Sequence, residues 1–354
     1  AMPVNFAMQG GVSVGVLIDS LTPAGAQTAQ AVIASGVYYT PPSGPATGGI
    51  SFKPAGQGTD SVSVSAPGFV SLANATRGIT VTQPTSSISI NFSQIGVGLQ
   101  EAGFVSLGAS QHGGASVTIR SLDPTVFAID TLPNGPGYDS IVKPLANGQT
   151  GVTYYVQVKE FSQFLSAYIR VSEPRFAPDS VLVTAVQPSV DLQGLPGTTT
   201  TLTGVNNLYA QIGVPNGQLS GLARVQNLRG GAPAPLPVTF ASLPGGSGIL
   251  ADSITQGTGG ADTVTVFVDT TGSLYYTPPS GPNTGGVEFR PLVAGNDTIR
   301  VSAVGYATVG TSSRGIAITQ PTTSIGVNYP FVGSGLQESG TAFLSASQHG
   351  GATV

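Results

Sequence analysis

The sequence of 354 residues contains neither cysteine nor tryptophan. Without cysteine, disulfide bonds and metal sites built from thiolates are excluded outright. This absence does not place the protein inside the cell, because secreted bacterial proteins often fold without disulfides. A chain of this length exceeds one typical domain, so we expect about two to four domains.

Charged residues are also scarce. Asp, Glu, Lys and Arg make up 8% of the chain, about a third of their usual share, and the net charge is −4. Since no basic cluster occurs, the sequence predicts no nucleic-acid partner. The sixteen acidic residues are spread thinly, so we predict no metal site and no cofactor. No apolar run approaches the ~18–20 residues of a membrane span, and none is predicted in this segment.

The chain is instead rich in glycine and proline, with 50 and 27 residues respectively. Its other stretches alternate between apolar and polar residues. In 164–171, for example, Ile169 and Val171 share one face while Tyr168 and Arg170 share the other. Eight strands are predicted between residues 85 and 187, near 86–92, 103–109, 115–121, 125–130, 138–143, 151–158, 163–172 and 180–187. So many short strands separated by glycine and proline turns are typical of a β-sandwich, and we predict an all-β fold.

Most of the chain is an internal repeat. The phrase "YYTPPSGPATGG" begins at Tyr38, and "YYTPPSGPNTGG" begins at Tyr275. The offset of 275 − 38 = 237 residues holds without a gap through "GLQE" at 98–101 and 335–338. By inspection about half of the aligned positions are identical, which is far beyond chance for a period of this length.

Each period contains two different units, called type A and type B here. Extended phrases that end in Gln-Pro mark the unit junctions, because proline cannot donate a ladder hydrogen bond. The predicted division is type A at 1–84 (incomplete), type B at 85–187, type A with an extended N-terminal part at 188–321, and the opening strands of a second type B unit at 322–354. We therefore expect tandem antiparallel β-sandwiches in a 237-residue, two-domain repeat.

Two phrases carry a resemblance to a known family: "VGLQEAGFVSLGASQHGGASVTIRSLDPTVFAI" at 97–129, and "DSVSVSAPGFVS" followed by "ITVTQP" between 60 and 84. They resemble the immunoglobulin-like repeats, of the Big and invasin type, of large bacterial surface and secreted proteins. The resemblance implies an immunoglobulin-like sandwich and a role as a spacer, adhesin stalk or surface assembly. The Cys-Trp-Cys core of antibody domains is absent, so aliphatic residues must build the core.

The histidines of the chain, His112 and His349, both lie in the repeated phrase "SQHGG". Each type B unit therefore holds one histidine, whereas a zinc site or a catalytic triad needs partners. The paired glycines that follow favour a tight turn, because glycine adopts positive φ without strain. We predict structural turns formed by His112, Gly113, Gly114, His349, Gly350 and Gly351.

Glu101 and Glu338 are the acidic residues that the repeat matches in "GLQE". Glycosidase chemistry needs two facing carboxylates, and neither glutamate has a partner in the sequence. We expect both to be exposed at a sheet edge, and we predict that the protein is not an enzyme.

The tyrosine pairs beside the proline-rich loop are the candidate binding residues. Exposed aromatic rings stack on sugars and on protein partners. Strand alternation offers a second interpretation, in which one tyrosine of each pair faces the core and the other faces outward. The candidate residues are Tyr38, Tyr39, Tyr275 and Tyr276.

Two hypotheses for function follow. The first is a structural or adhesive segment of a large, repetitive, extracellular bacterial protein, located at the cell surface as a stalk, adhesin or fibre component. Its partners would be neighbouring copies of itself or adjacent repeats. The alternative is a module that binds a glycan or a host or cell-surface protein through the tyrosine loops.

Both ends of the chain fall within a unit of the repeat. The ends can result from cloning or proteolysis. Alternatively, terminal strands of one chain complete the sandwich of the next, head to tail, because exposed sheet edges invite pairing with another chain.

Overall fold

The computed structural model describes residues 1–160, 164–232, 234–244, 246–269 and 274–346. Strands dominate these residues, and their helical elements are short 3-10 turns at Pro45–Thr47, Ala73–Ala75, Gln256–Thr258, Pro282–Thr284 and Gly310–Ser312. The predicted all-β fold is therefore confirmed. Within the described ranges, no helix has the length and apolar character needed to cross a membrane.

The chain forms two compact units. The first unit comprises Ala1–Thr85 with Pro174–Ala177, and the second comprises Ser86–Glu173 with Pro178–Val354. The finer division into four units, with boundaries at residues 84, 187 and 321, stays a prediction.

The first unit contains two antiparallel sheets. Its strands are β1 (Met2–Met8), β2 (Gly15–Ile18), β3 (Thr28–Ile33), β4 (Ser51–Pro54), β5 (Gly58–Ser65) and β6 (Thr76–Val81). One sheet has the order β3-β1-β5-β6, and the other contains β2 and β4. Met8, Leu17 and Ala29 form a small buried core, against which Phe52 and Val62 pack.

The second unit begins with a sandwich that we call the B sandwich. Its strands are β7 (Ser86–Ile90), β8 (Gln94–Gly96), β9 (Leu99–Leu107), β10 (Ala115–Ser121), β11 (Phe127–Asp130), β12 (Ser140–Leu145), β13 (Gly151–Val158), β14 (Ser166–Glu173) and β15 (Phe176–Val186). One sheet contains β12-β10-β14-β15-β8, and the other runs β11-β13-β9 with β7 also paired to β9. The core is aliphatic and aromatic, since Ile119, Val105, Ile169 and Tyr154 are completely buried.

The strand order of the B sandwich is immunoglobulin-like. In that fold one sheet carries strands A, B, E and D, and the other carries C, F and G. Here β7-β9-β13-β11 occupy the first set of positions, and β10-β14-β15 occupy the second. The short strand β8 lies parallel to β15, through Thr184 opposite Gln94 and Val186 opposite Gly96. The B sandwich has one additional strand, β12, which pairs with β10 at the edge of the second sheet. It follows β11, the strand in position D, along the chain.

A second sandwich, the A sandwich, repeats this order. Its strands are β16 (Ser189–Gln193), β17 (Thr198–Thr200), β18 (Asn206–Pro215), β19 (Leu222–Val225), β20 (Asn227–Leu228), β21 (Leu236–Leu243), β22 (Gly248–Ala251), β23 (Thr263–Val268), β24 (Val287–Pro291), β25 (Gly295–Ser302), β26 (Ala307–Thr308) and β27 (Ser313–Thr319). Its sheets run β22-β24-β18-β16-β26 and β17-β27-β25-β21-β23. The parallel pair β17–β27 corresponds to the pair β8–β15 of the B sandwich.

A hairpin completes the second unit. Its strands are β28 (Thr323–Val327) and β29 (Gly340–Leu344), which pair antiparallel with Ile325 opposite Ala342. With the offset of 237 residues, this hairpin corresponds to β7 and β9 of the B sandwich. The second "SQHGG" phrase occupies residues 347–351, which follow Ala346 and lie outside the described part of the chain.

Candidate functional site: the junction between the B and A sandwiches

The connection from β18 to β21 leaves the A sandwich and reaches the B sandwich. It contains β19 and β20, and we call residues 222–230 the junction segment. Strand β19 continues the A sandwich by pairing with β18, with Val225 opposite Gly213 and Arg224 opposite Val214. A side chain on Gly213 would meet the backbone of Arg224 at about 2.0 Å, so the close approach of these two strands requires glycine.

Two residues later the same segment joins a sheet of the B sandwich. Strand β20 pairs antiparallel with β9, with Asn227 opposite Gln100 and Leu228 opposite Leu99. Leu99 and Leu228 are both buried. The Arg229 amide also donates to the Gly98 carbonyl at 3.0 Å. A strand from one sandwich therefore extends the sheet of its neighbour, and the two share one hydrogen-bonded ladder.

An ion pair lies beside this ladder. The Arg224 guanidinium donates to both oxygens of the Glu101 carboxylate, from Nη2 to Oε1 at 2.9 Å and from Nε to Oε2 at 3.2 Å. Glu101 is 5% exposed, whereas the Arg224 side chain is 42% exposed. Hydrogen bonding to Glu101 and the negative charge of its carboxylate raise the pKa of Arg224, and partial burial opposes this effect. The bidentate geometry fixes the orientation of both side chains.

Gln226 connects the pair to a second strand of the B sandwich. Its amide nitrogen donates to the Gln94 carbonyl at 2.8 Å and to Glu101 Oε2 at 3.1 Å. Its amide oxygen accepts from the Gly96 amide at 3.0 Å. Because Gln226 is 2% exposed, loss of these bonds would leave buried polar atoms unpaired.

A second bidentate pair lies at the other end of the junction segment. Arg229 donates from Nε and Nη2 to the two oxygens of Glu160, at 2.7 and 2.5 Å. Its side chain is 12% exposed, and that of Glu160 is 26% exposed. Within the B sandwich, Gln100 of β9 is bonded to a neighbouring loop, since its amide nitrogen donates to the Pro133 carbonyl at 2.6 Å.

A cavity of about 500 Å³ adjoins the second pair. Its walls are mainly apolar and include Val97 from the B sandwich, and Leu228, Pro237 and Tyr306 from the A sandwich, with Glu160 at the polar side. Burial and the negative charge of Glu160 raise the pKa of the Tyr306 phenol, so this group stays protonated at neutral pH.

These contacts hold two sandwiches in a fixed orientation. Removing one partner of a buried ion pair leaves the other charge unpaired where water solvates it poorly, which is strongly unfavourable. The junction therefore resists both rotation and separation of the two sandwiches. Its chemistry is that of a structural interface, because Arg224, Gln226 and Arg229 each bond to an acidic side chain of the B sandwich.

Sequence reasoning failed to find this site. The expectation of an exposed edge position for Glu101 is wrong, because the junction segment covers it; Glu338, its repeat counterpart, is exposed as expected. The partner Arg224 is 123 residues away in sequence. A usable signal existed nevertheless: the phrase "GLARVQNLRGG" contains two arginines in a chain poor in charge, within the part of the type A unit that the first copy does not share.

The predicted turn residues lie between β9 and β10. The His112 ring accepts at Nδ1 from the Gly114 amide at 3.1 Å, and Nε2 lies 2.7 Å from the Gln149 carbonyl. This geometry assigns the proton to Nε2. Gly113 and Gly114 have φ of 67° and 99°, and the Gly113 amide donates to Asn147. The predicted residues His349, Gly350 and Gly351 lie outside the described residues.

The two tyrosine pairs differ in their surroundings. The rings of Tyr38 and Tyr39 are perpendicular, with centroids 5.3 Å apart, and they are 91% and 56% exposed. The rings of Tyr275 and Tyr276 have a similar geometry at 4.8 Å but are half-buried. The backbone of the second pair lies against β18, since the Tyr275 carbonyl accepts from the Ile212 amide at 2.9 Å.

No protein-family model and no curated protein matches this chain. Among solved structures, the adhesin FdeC of Escherichia coli matches 90% of this chain and 85% of its own, at 11% identity and a TM-score of 0.25. The adhesin InvE of Yersinia pseudotuberculosis matches 66% of this chain and 58% of its own, at 13% identity and a TM-score of 0.24. A tetra-tandem repeat from the extending region of a large adhesion protein matches 98% of this chain and 81% of its own, at 11% identity and a TM-score of 0.20.

Domains of a bacterial surface-layer protein and a cohesin dyad are also among the similar structures. The TM-scores of all these matches lie below 0.5.

Proposed function

We propose that this chain is a structural and adhesive segment of a large bacterial surface protein, and that the junction segment joins the B and A sandwiches into one stiff body. The observation that carries this proposal is the addition of β20 to β9 between two bidentate ion pairs. Tandem modules transmit force and reach through their junctions, so a fixed junction is what a stalk requires.

The double variant Arg224→Ala and Arg229→Ala tests this function. We expect it to lower the free energy of unfolding of the second unit by about 2–4 kcal/mol, because Glu101 and Glu160 lose their partners. Small-angle scattering should then show a broader distribution of end-to-end distances. Arg300→Ala is the matched control, since Arg300 is exposed on β25. A double variant with unchanged stability and unchanged dimensions would contradict the proposal.

The proposal includes location and mode of action. We propose that the segment lies outside the cell and acts without catalysis. The resemblance to bacterial surface repeats supports the location. Action without catalysis is supported by the buried acids, which bind other groups of the protein. Glu101 binds Arg224, and Asp130 accepts from the Thr131 and Leu132 amides. An antibody against the segment should label intact cells of the source bacterium; labelling only after lysis would overturn the location.

We further propose that copies associate head to tail by strand complementation. Sheet edges support this, because β3 and β12 lie at the edges of their sheets within the described chain, and a free edge invites pairing with another strand. Sedimentation over a range of concentrations tests it: the mass should rise above 35.4 kDa as concentration increases. A monomer at every concentration would rule out the association.

A second candidate function is recognition of a glycan or a protein by Tyr38 and Tyr39. Their exposure and perpendicular rings favour it, because exposed aromatic faces stack on sugar rings and on partner side chains. Tyr38→Ala should abolish binding on a glycan array or to cells. Tyr275→Ala, at the half-buried counterpart, is the matched control. Binding that survives Tyr38→Ala in a folded chain would remove this candidate.

A further inference from the structure

The five-stranded sheet of the B sandwich has an outward face that carries two arginines side by side. On the core side of strands β10 and β14, Ile119 and Val171 lie opposite each other and are completely buried. The neighbouring residues Arg120 and Arg170 also lie opposite each other, and both are exposed on the outward face. Because directly opposite residues of an antiparallel pair have Cβ atoms about 5 Å apart, two positive side chains leave the sheet together.

Neither of these arginines is paired with a carboxylate. Elsewhere in the second unit, Arg224, Arg229 and Arg290 each bind a glutamate. Arg120 and Arg170 form no ion pair and no side-chain hydrogen bond with any residue that the structure describes. Like charges directly opposite on a sheet are destabilising. Since the chain has only 12 Lys and Arg residues, a basic composition does not account for this arrangement.

A row of apolar residues lies beside the arginine pair on the same face. Leu122 follows β10, and its amide donates to the Tyr168 carbonyl at 3.0 Å. Leu182 of β15 is next to Tyr168 in this row, because Ser166 and Thr184, each two residues away, are hydrogen bonded through their hydroxyls at 2.8 Å. Leu122, Tyr168 and Leu182 are 46%, 49% and 45% exposed. The face therefore presents an aromatic ring between two leucines, next to two unpaired guanidinium groups.

The main chain beneath this face is already used by the sheet. Strand β10 pairs with β12 on one side and with β14 on the other, and β14 lies between β10 and β15. Extended peptides bind to sheets by adding a strand to an open edge. A partner on this face reaches side chains only, so the face is not suited to that mode of peptide binding.

The side chains of this face fit sugar rings that carry a carboxylate. The apolar C–H face of a pyranose ring packs on an exposed aromatic ring. A guanidinium binds a carboxylate through two parallel hydrogen bonds. Rows of residues on one face of a strand are about 6.6 Å apart, which a long arginine side chain spans. A sugar ring on Tyr168 therefore places its carboxylate within reach of Arg170 and Arg120.

We propose that the outward face formed by Arg120, Arg170, Leu122, Tyr168 and Leu182 binds an acidic polysaccharide that carries carboxylates. The ring of Tyr168 and the two leucines hold the apolar face of one sugar. The two arginines bind carboxylates, and this binding removes their mutual repulsion. The surface goes beyond the proposed function, because it is separate from the junction, where β20 joins the other sheet of the B sandwich, and from the tyrosine pair of the first unit.

Titration calorimetry of the full chain with polygalacturonate, a polymer of carboxylated sugars, tests this proposal. We expect saturable binding that weakens as salt is raised, because salt screens exposed charges. Arg120→Gln and Arg170→Gln should each weaken binding more than about tenfold, and Tyr168→Ala should weaken it as well. Arg300→Gln is the matched control, since it changes the net charge equally at an exposed position of β25, and it should leave binding unchanged.

Thermal unfolding of the same variants separates binding from a structural role. Because the opposed arginines repel each other, Arg120→Gln and Arg170→Gln should leave the unfolding midpoint unchanged or raise it. A lower midpoint in both variants would show that the arginine pair stabilises the fold, and would overturn its assignment to a ligand.

Comparison ligands decide the chemistry of the partner. Neutral dextran should not bind. No binding of polygalacturonate, or binding that persists in both arginine variants, would overturn the proposal. Equal affinity for poly-glutamate would overturn a sugar as the occupant, and binding of dextran sulfate alone would overturn the carboxylate. None of these results bears on the stiffness of the junction, which the Arg224 and Arg229 variant tests separately.

Discussion

Phe52 and Phe289 are the same residue in the same repeated phrase, yet their environments differ. Phe289 is fully buried on β24, which pairs with both β18 and β22, whereas Phe52 is half-buried on β4, which pairs with β2. Local sequence determines that both form strands, and each has an equivalent partner, since β4 pairs with β2 and β24 pairs with β22. Burial depends on a segment more than 70 residues away in sequence, about 80 residues for the contact between Val287 and Leu208. Repeated sequence therefore guarantees repeated strands but not repeated stability.

The largest expected effect is at this phenylalanine. Phe289→Ala should destabilise the second unit by about 3–5 kcal/mol, the usual cost of removing a fully buried ring. Phe52→Ala should cost the first unit about half as much, because solvent already reaches part of its ring. Denaturant unfolding of the two single variants measures both values. Equal losses at the two positions would show that the first unit is covered in solution.

A second test compares the two glutamates of "GLQE". Glu101→Gln should lower the free energy of unfolding by about 1–2 kcal/mol, since the charged hydrogen bonds to Arg224 are lost. Glu338→Gln is the same substitution at an exposed position and should change stability by less than about 0.5 kcal/mol. Thermal unfolding of both variants measures the difference. A loss of stability in Glu338→Gln would mean that a second junction forms there.

A third test concerns acid, and it addresses the first unit alone. Asp19 accepts from the Gln30 amide and from Thr22, and these bonds lower its pKa from 3.8 to about 2. A carboxylate whose pKa is depressed in the folded state stabilises the protein above the unfolded value and loses this contribution as pH falls through the folded value. Stability of the first unit should therefore decline between about pH 4 and pH 2.

Asp19→Asn provides the check on that assignment. It should reduce stability at neutral pH and flatten the decline between about pH 4 and pH 2, as followed by circular dichroism. If Asp19→Asn loses stability between about pH 4 and pH 2 as the unchanged protein does, another carboxylate is responsible for that loss.

Much of the fold could be predicted from sequence, because strand alternation is local. All eight strands predicted between residues 85 and 187 correspond to observed strands, and β10 and β13 match in both bounds. Alternation in β14 also holds, with Ile169 and Val171 buried and Tyr168 exposed. Strand β8 escaped prediction because it has three residues and owes its place to β15, about 90 residues further along the chain.

The junction was beyond sequence reasoning for a related reason. Glu101 has no charged neighbour in its own phrase, and its partner Arg224 belongs to a segment with no counterpart in the first copy. Alternation and turn signals describe one sandwich at a time. Contacts between sandwiches depend on how two folded bodies meet, and only the tertiary structure supplies that information.

The parallel pairs β8–β15 and β17–β27 have a mechanical consequence. Each pair joins an early strand of a sandwich to its last strand, through Gln94 to Gly96 in one case and Thr198 to Thr200 in the other. A pull along the chain draws the two strands of each pair in opposite directions along their own length. Their hydrogen bonds are then loaded in shear and must yield together, whereas antiparallel hairpins open one bond at a time. Resistance to stretching therefore resides in two short ladders of three residue pairs each.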